Sequence, residues 1–239
     1  MLTYTVHVMK ENEEACPMFK KIVLGGAVLK AIALASYLLF IRPWHLRWGA
    51  NDEELRQSMP GDDEIQQPLY ATTRAVTINA QPAEIWPWLV QMGYQRGGLY
   101  SYDWLDRLFG ILDRPSADRI VPEFQHLQVG DVIPLGAGPS WPVKAIEPKQ
   151  SLLIRLSDPQ YPESGVTWVW ALYPLDEKHT RLVSRVRARL PLTPGGIFML
   201  VLLEPTGFIM ERKMLLGIKQ RAEQSSGRVS EHAGVTAHT

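Results

Sequence analysis

Between Thr72 and Met92 the chain changes its hydrophobic period. Arg74, Val76 and Ile78 alternate with Ala75, Thr77 and Asn79, which is the period of two of a strand. The alternation breaks at Asn79-Ala80-Gln81-Pro82, and Pro82 suits the first position of a helix, where its missing N–H costs nothing. Ile85, Trp88, Leu89 and Met92 then share one helical face, and Gly93 supplies a stop. The pattern predicts a strand, a tight turn and a short amphipathic helix. Trp86 and Trp88 read as core.

Downstream, Tyr100–Gly110 is aromatic-rich and helical in pattern, and Pro115 and Pro122 then interrupt the chain. Short apolar runs at Asp131–Leu135, Val143–Glu147, Leu152–Ser157, Val166–Tyr173 and Leu182–Leu190 are separated by Gly, Pro and Asp turns. Sequential strands of this kind predict an antiparallel meander. Ile197–Leu203 is apolar but too short to cross a bilayer, so it reads as a buried segment or a greasy lip. Pro205 suits a helix start, Phe208–Ala222 is helical, and the polar tail from Glu223 to Thr239 is expected to be disordered.

Ahead of all this, Ile22–Ile41 is an apolar run whose one charge is Lys30. Twenty such residues rise about 30 Å as a helix, enough to span a bilayer core. Lys30 costs about 2.5–3.5 kcal/mol at mid-span, less if it snorkels. Trp44 and Trp48, with Arg42 and Arg47, have the character of an interfacial belt. The expectation is a single membrane anchor (Lys30, Trp44 and Trp48 its marker residues) and a membrane localisation. A signal peptide with Ala33-Leu34-Ala35 at its cleavage site and a buried domain helix are the alternatives. Lys10, Lys20 and Lys21 before the run balance Arg42, Arg47 and Arg56 after it, so the orientation stays open. Residues 1–21 form an N-terminal segment in which Met18 offers a second start beside Met1. Residues 42–68 form a juxtamembrane linker whose acidic part, Gly49–Pro68, reads as a solvated spacer or a short helix leaving the membrane, with a functional acidic patch as the alternative.

Composition narrows the function classes. The 25 basic and 25 acidic residues balance, which argues against a dedicated nucleic-acid partner. Cys16 is the one cysteine, so no intramolecular disulfide forms. The six histidines show no paired-ligand spacing, and P-loop, GxGxxG and GxSxG motifs are missing, so no metal or cofactor is expected. Glu123 and His126 are close in sequence but read as a surface pair with no nucleophile beside them.

Two patterns hint at a site. On the C-terminal helix Phe208, Met210, Met214, Leu215 and Ile218 share one face, with Arg212, Lys213, Lys219 and Gln220 opposite, and Glu211 falls inside the apolar arc. A carboxylate there must pair, protonate or reach water. It either locks helix to sheet through an arginine or anchors a ligand. In the last hairpin, a turn at Glu177-Lys178 would set Trp170 opposite Arg185 and Trp168 opposite Arg187, a Trp/Arg ladder on one face. The other face (Val169, Ala171, Val186, Ala188) would be small and apolar, a cavity wall. The ladder would be solvated, lie against anionic headgroups or bind a protein. A slip of one residue would turn it inward.

The strand Ala75–Ile78, the Asn-Ala-Gln-Pro turn and the helix from Glu84 to Gly93 together resemble the opening of the START-like, or SRPBCC, superfamily. Its members include lipid-transfer domains, birch-pollen-allergen-like proteins and polyketide cyclases and dehydratases. The resemblance covers about Leu69–Ala222 and implies an α+β helix-grip fold: a curved antiparallel sheet wrapped on a long C-terminal helix, here behind a transmembrane helix. It implies the domain 69–222, set between the span at 22–41 with its linker and the polar tail 223–239. It also implies a hydrophobic small-molecule ligand (lipid, isoprenoid or polyketide-like), bound or transferred without catalysis. Tyr100, Tyr102, Asp103 and Trp104 would line the cavity mouth, with Met210, Glu211, Met214 and Ile218 on the helix side. A small cyclase or dehydratase using cavity carboxylate and tyrosine chemistry, or a regulatory protein-interaction domain, are the alternatives. Oligomeric state is open.

Overall fold

The structure is a computed structural model that describes residues 21–136, 138, 140–158, 161–190 and 193–236; residues 140, 158, 161–163, 194–203 and 227–236 are described by backbone alone. The readings placed on Met1, Cys16, Met18 and Lys20 lie outside the described residues, as do the side chains of Ile197–Leu203. The chain divides into two compact units, Met1–His45 and Leu46–Thr239.

In the first unit one helix, α1 (Lys21–Leu46, its last residue crossing the boundary), is long and apolar enough to cross a membrane. Its 26 residues rise about 39 Å, and none of its most apolar window is buried. It contains one π-helical turn, Tyr37–Ile41. Lys30 and Trp44 are exposed on it.

The second unit is α+β. Six antiparallel strands follow one another as β1 (Tyr70–Ile78), β2 (Val132–Pro134), β3 (Ser140–Glu147), β4 (Ser151–Asp158), β5 (Tyr161–Pro174) and β6 (Thr180–Arg189). Their order across the sheet is β1-β6-β5-β4-β3-β2, so β2 to β6 form the meander and the first strand closes beside the last. Among the described residues, the α-helices α2 (Asp52–Arg56), α3 (Pro82–Val90), α4 (Asp103–Leu108) and the long α5 (Pro194–Thr236) accompany them, with a 3-10 turn at Pro122–Phe124. The curved sheet grips α5, as the sequence predicts. Pro82 does open α3, and the Gln81 N–H donates to Glu84 Oε2 at 2.7 Å, satisfying one of the donors at its start. Ile85, Trp88, Leu89 and Met92 are all buried, and Gly93 ends the segment at φ +127°, a backbone angle open to glycine.

The C-terminal helix begins at Pro194, about three turns before the start predicted at Pro205, which lies within it. Thr193-Pro194 is itself a start signal. The helix also runs on past Ala222, where the Ser225 and Ser226 hydroxyls donate back to the Arg221 and Ala222 carbonyls at 2.9 and 3.0 Å.

The sheet has two dry faces. Inside, Ile78, Ile85, Trp88, Leu152, Ile154, Trp170, Leu182, Leu215 and Ile218 form the main core between sheet, α3 and α5. Outside, Met59, Ala75, Leu153, Val169, Ala171 and Val183 form a second cluster. The segment 49–68 supplies its cover: it holds the short helix α2, but it packs on the sheet with Met59, Ile65 and Glu54 buried, so its reading as solvated is corrected. Its acidic residues are captured by the arginines of the outer face. Arg181 donates to Glu54 at 2.6 Å, and Arg185 donates to Asp62 and the Glu54 carbonyl at 2.6 Å and to the Gln57 carbonyl at 2.8 Å. Arg155 pairs with Glu64. Burial works against the Glu54 carboxylate, but the Arg181 hydrogen bond and the Asn51 N–H outweigh it and hold it below its ordinary value.

The strand register explains this arrangement. The last hairpin turns through Leu175–His179, centred on Glu177, with Asp176 Oδ1 accepting from the Lys178 and His179 N–H groups at 2.7 and 2.8 Å. Trp168 therefore faces Val186 and Trp170 faces Ser184, while Arg185 faces Val169 and Arg187 faces Thr167. The Trp/Arg ladder does not form. A slip of one residue separates the two sets, sending the tryptophans inward and the arginines outward. Trp48 also departs from the belt assigned to it: it packs at the edge of the main core with the Arg212 guanidinium 5.0 Å from its ring.

Candidate functional site

Between the inner face of the sheet and α5 lies a cavity of about 480 Å³. That falls in the size range of small-molecule sites, about 300–1,000 Å³. Each wall follows from a local pattern. The inward positions of β5 and β6 give Val166, Trp168 and Val186; β1 gives Tyr70 and Arg74; one face of α5 gives Gly207, Met210, Glu211 and Met214. The loop around α4 closes it with Leu99, Ser101, Phe109 and Ile111.

Arg74 and Glu211 are the charged residues of this lining, and they neutralise each other. Their side chains are 1% and 6% exposed and form a direct ion pair. The second carboxylate oxygen of Glu211 accepts from Ser184 Oγ at 2.8 Å, and Ser184 Oγ accepts from Trp168 Nε1 at 2.8 Å. Each oxygen of Glu211 thus has a donor, as a buried carboxylate requires. The Phe208 ring lies 5.2 Å from the Arg74 guanidinium. Burial opposes the charge on Arg74, but Glu211 and Tyr70 together outweigh it and raise its pKa. Burial pushes the Tyr70 phenol up to about 12, so at neutral pH it stays protonated and able to donate. What remains is an apolar chamber with no net charge in its wall.

The helix-side residues anticipated from sequence divide. Met210, Glu211 and Met214 line the cavity, whereas Ile218 is fully buried in the core beyond it. Glu211 locks the helix to the sheet through Arg74, and it also lines the cavity. The four mouth residues lie beside the cavity rather than in it. Tyr100 is 1% exposed, donates from its hydroxyl to the Trp88 carbonyl at 3.1 Å and holds the Arg221 guanidinium 4.7 Å from its ring. Burial drives its phenol pKa upward. Tyr102 receives the Lys213 ammonium 5.7 Å from its ring. Asp103 accepts from the Ser116 hydroxyl at 2.8 Å and the Ser116 N–H at 3.2 Å. Trp104 is 66% exposed. Glu123 and His126 are both exposed. Among the described residues, no group of three or more His, Cys, Asp or Glu side chains is placed to hold a metal.

Sequence reasoning missed Arg74, Tyr70, Ser184, Trp168 and Ser101. Arg74 had a signal: it shares the period-two face of Val76 and Ile78, so its charge was bound to point into the core.

No protein-family model matches the chain, and neither does any curated protein. Among solved structures, it is similar to a Thermobifida fusca protein at 17% identity, over 64% of this chain and 93% of that one, with a TM-score of 0.41. CalU16 from Micromonospora echinospora matches at 15%, over 66% and 86%, with a TM-score of 0.31. A norcoclaurine synthase from Thalictrum, solved with a transition-state analogue, matches at 11%, over 66% and 96%, with a TM-score of 0.38. Likenesses this distant carry no function across to this chain.

Proposed function

We propose that this chain is a membrane-anchored, START-like (SRPBCC) binding protein that holds or transfers an uncharged hydrophobic small molecule between its sheet and C-terminal helix. The observation that carries this reading is the chamber itself: about 480 Å³, walled by Trp, Phe, Met, Leu, Ile and Val, with its two charges paired to each other. Apolar surface brought into such a space gains roughly 25 cal/mol per Å² removed from water. An anionic or cationic ligand would find no uncompensated countercharge among the lining residues. The order strand, turn, helix, meander and long helix supports the family reading. Helix α1, long enough to span a bilayer, supports the anchor, and would keep the chamber close to a source of apolar ligand.

Gly207 supplies the test. It lines the chamber, and a Cβ built on it meets nothing within 4 Å. Gly207→Trp would therefore fill the chamber without a clash at its base, and it removes a helix-interior glycine that costs about 1 kcal/mol relative to alanine. The full chain is expected to bind a fluorescent apolar probe such as N-phenyl-1-naphthylamine. Gly207→Trp is expected to lose at least tenfold in affinity at undiminished stability. Equal binding by the two proteins would place the probe elsewhere and remove the chamber from the account.

A further inference from the structure

Helix α4 is amphipathic the wrong way round for a surface in water. Its buried residue is Asp106, and Asp103 at its start is tied to Ser116. Trp104 and Leu108, four residues apart and so neighbours on one helical face, are 66% and 71% exposed. Phe109, next in the chain, is 54% exposed. A surface helix ordinarily turns its apolar stripe to the core. Single exposed hydrophobics are ordinary, but three large ones within one short stretch form a patch. Gly110, at φ +70°, turns the chain at this tip, and a Cβ added there would meet nothing within 4 Å. Phe109 is at the same time a wall of the chamber, so patch and chamber adjoin. On α5, Ile209 lies between the lining residues Gly207 and Met210 and is half exposed. Lys213, one turn further on, reaches the Tyr102 ring just ahead of α4. The exposed charges around the tip are mainly cationic: Arg107, Arg114 and Lys213, with Asp113 paired to Arg114.

We propose that the tip of α4 (Trp104, Leu108 and Phe109) lies in the interface of a lipid bilayer and is the portal through which apolar molecules pass between that bilayer and the chamber. An outward apolar face and an inward carboxylate make sense where the surroundings are themselves apolar. The chain supplies the bilayer. Helix α1 is long and apolar enough to cross one, and the second unit begins at Leu46, the last residue of α1, with no spacer between. A domain tethered so closely meets lipid far more often than any dissolved partner. The side-chain chemistry agrees: tryptophan favours the headgroup level, and cations at the rim suit anionic headgroups. In that setting the tip sinks about 5–10 Å, to the boundary of headgroups and acyl chains. Phe109 then has one side in lipid and the other in the chamber, and a ligand crosses between two apolar phases without entering water. The inference rests on the readings of the chamber as a binding site and of α1 as an anchor.

The test uses the full chain in phosphatidylcholine–phosphatidylglycerol vesicles, with Cys16, its one cysteine, changed to serine. A nitrobenzoxadiazole label on Leu108→Cys reports the tip. The same label on Leu175→Cys reports another exposed leucine, at the β5–β6 hairpin, about 23 Å along the strand from Trp168. Doxyl-labelled lipid is expected to quench the Leu108 label at least twofold and to leave the Leu175 label unchanged. Portal function is read by incubating delipidated protein with vesicles and following, by native mass spectrometry, the adduct that Gly207→Trp lacks. Trp104→Glu with Leu108→Glu should load it at least fivefold more slowly than wild type, at unchanged affinity for N-phenyl-1-naphthylamine in detergent, which also shows that the variant is folded. Equal quenching at the two labels overturns the proposal and leaves the chamber reading standing. A blue shift at Leu108 that grows with the protein-to-lipid ratio, without lipid quenching, assigns the face to a second protein molecule and overturns it too. Quenching with equal loading rates overturns the portal. A wild type that loads no such adduct overturns the chamber reading as well.

Discussion

Arg74 and Glu211 each sit where neither could be tolerated alone. Breaking a buried ion pair from one side leaves a charge without a partner, at about 3–5 kcal/mol. Arg74→Met should therefore cost that much in chemical denaturation. Arg74→Met with Glu211→Met should cost much less than the sum of the two single changes. Additive losses would mean that the pair is not coupled. Asp106 offers a check by pH. Its folded pKa is raised to about 6, above the ordinary carboxylate value of 3.8. The native state therefore binds the proton more tightly than the unfolded state, and stability falls as pH rises from about 4 through 6. Asp106→Asn should gain on the order of 2 kcal/mol over wild type at pH 8 and nothing at pH 4. A gain that is equal at the two pH values would show that the carboxylate is not strained. At this scale the sequence was partly legible. Glu211 announced itself by falling within an apolar arc, and Arg74 shared the face of Val76 and Ile78. Ser101 and Ser184 gave no signal, because small hydroxyl residues are ordinary in loops and strands alike.

Among the elements, those with a strong period were legible. The Thr72–Met92 unit appeared as predicted, because a period of two followed by Pro82 and a helical face leaves few alternatives. The last hairpin was not, since its register turns on whether the loop has an odd or even number of residues. Asp176 decides that by capping a five-residue loop. The packing of the 49–68 segment on the sheet is illegible for a related reason. Its Asp and Glu residues look solvated until the arginines of β6 are known to face the same way. This predicts that the 49–67 strap is held by those arginines. Arg185→Ala removes the donors to Asp62, Gln57 and Glu54 together. Hydrogen exchange should speed up at least tenfold across Asp52–Ile65, while β4 and β5 stay protected. Unchanged exchange in the strap would mean that Arg181, Arg155 and the burial of Met59 hold it without Arg185.

The chain divides into two compact units, of which the first holds a helix long and apolar enough to cross a bilayer and the second surrounds an apolar, electrically neutral chamber. Fold class was readable from the order of elements. The chamber was not, because its volume depends on how far Trp141, Trp168, Met210 and Met214 fill the space between sheet and helix, and no sequence pattern states that. The central claim is that the chamber carries a small apolar molecule. The most direct measurement is native mass spectrometry of the full chain released from detergent, comparing wild type with Gly207→Trp and identifying any extracted adduct. Wild type should carry a discrete uncharged, lipid-like mass that Gly207→Trp lacks, while lipids bound to α1 appear equally in both. An identical adduct pattern in the two proteins, or none in either, would contradict the claim.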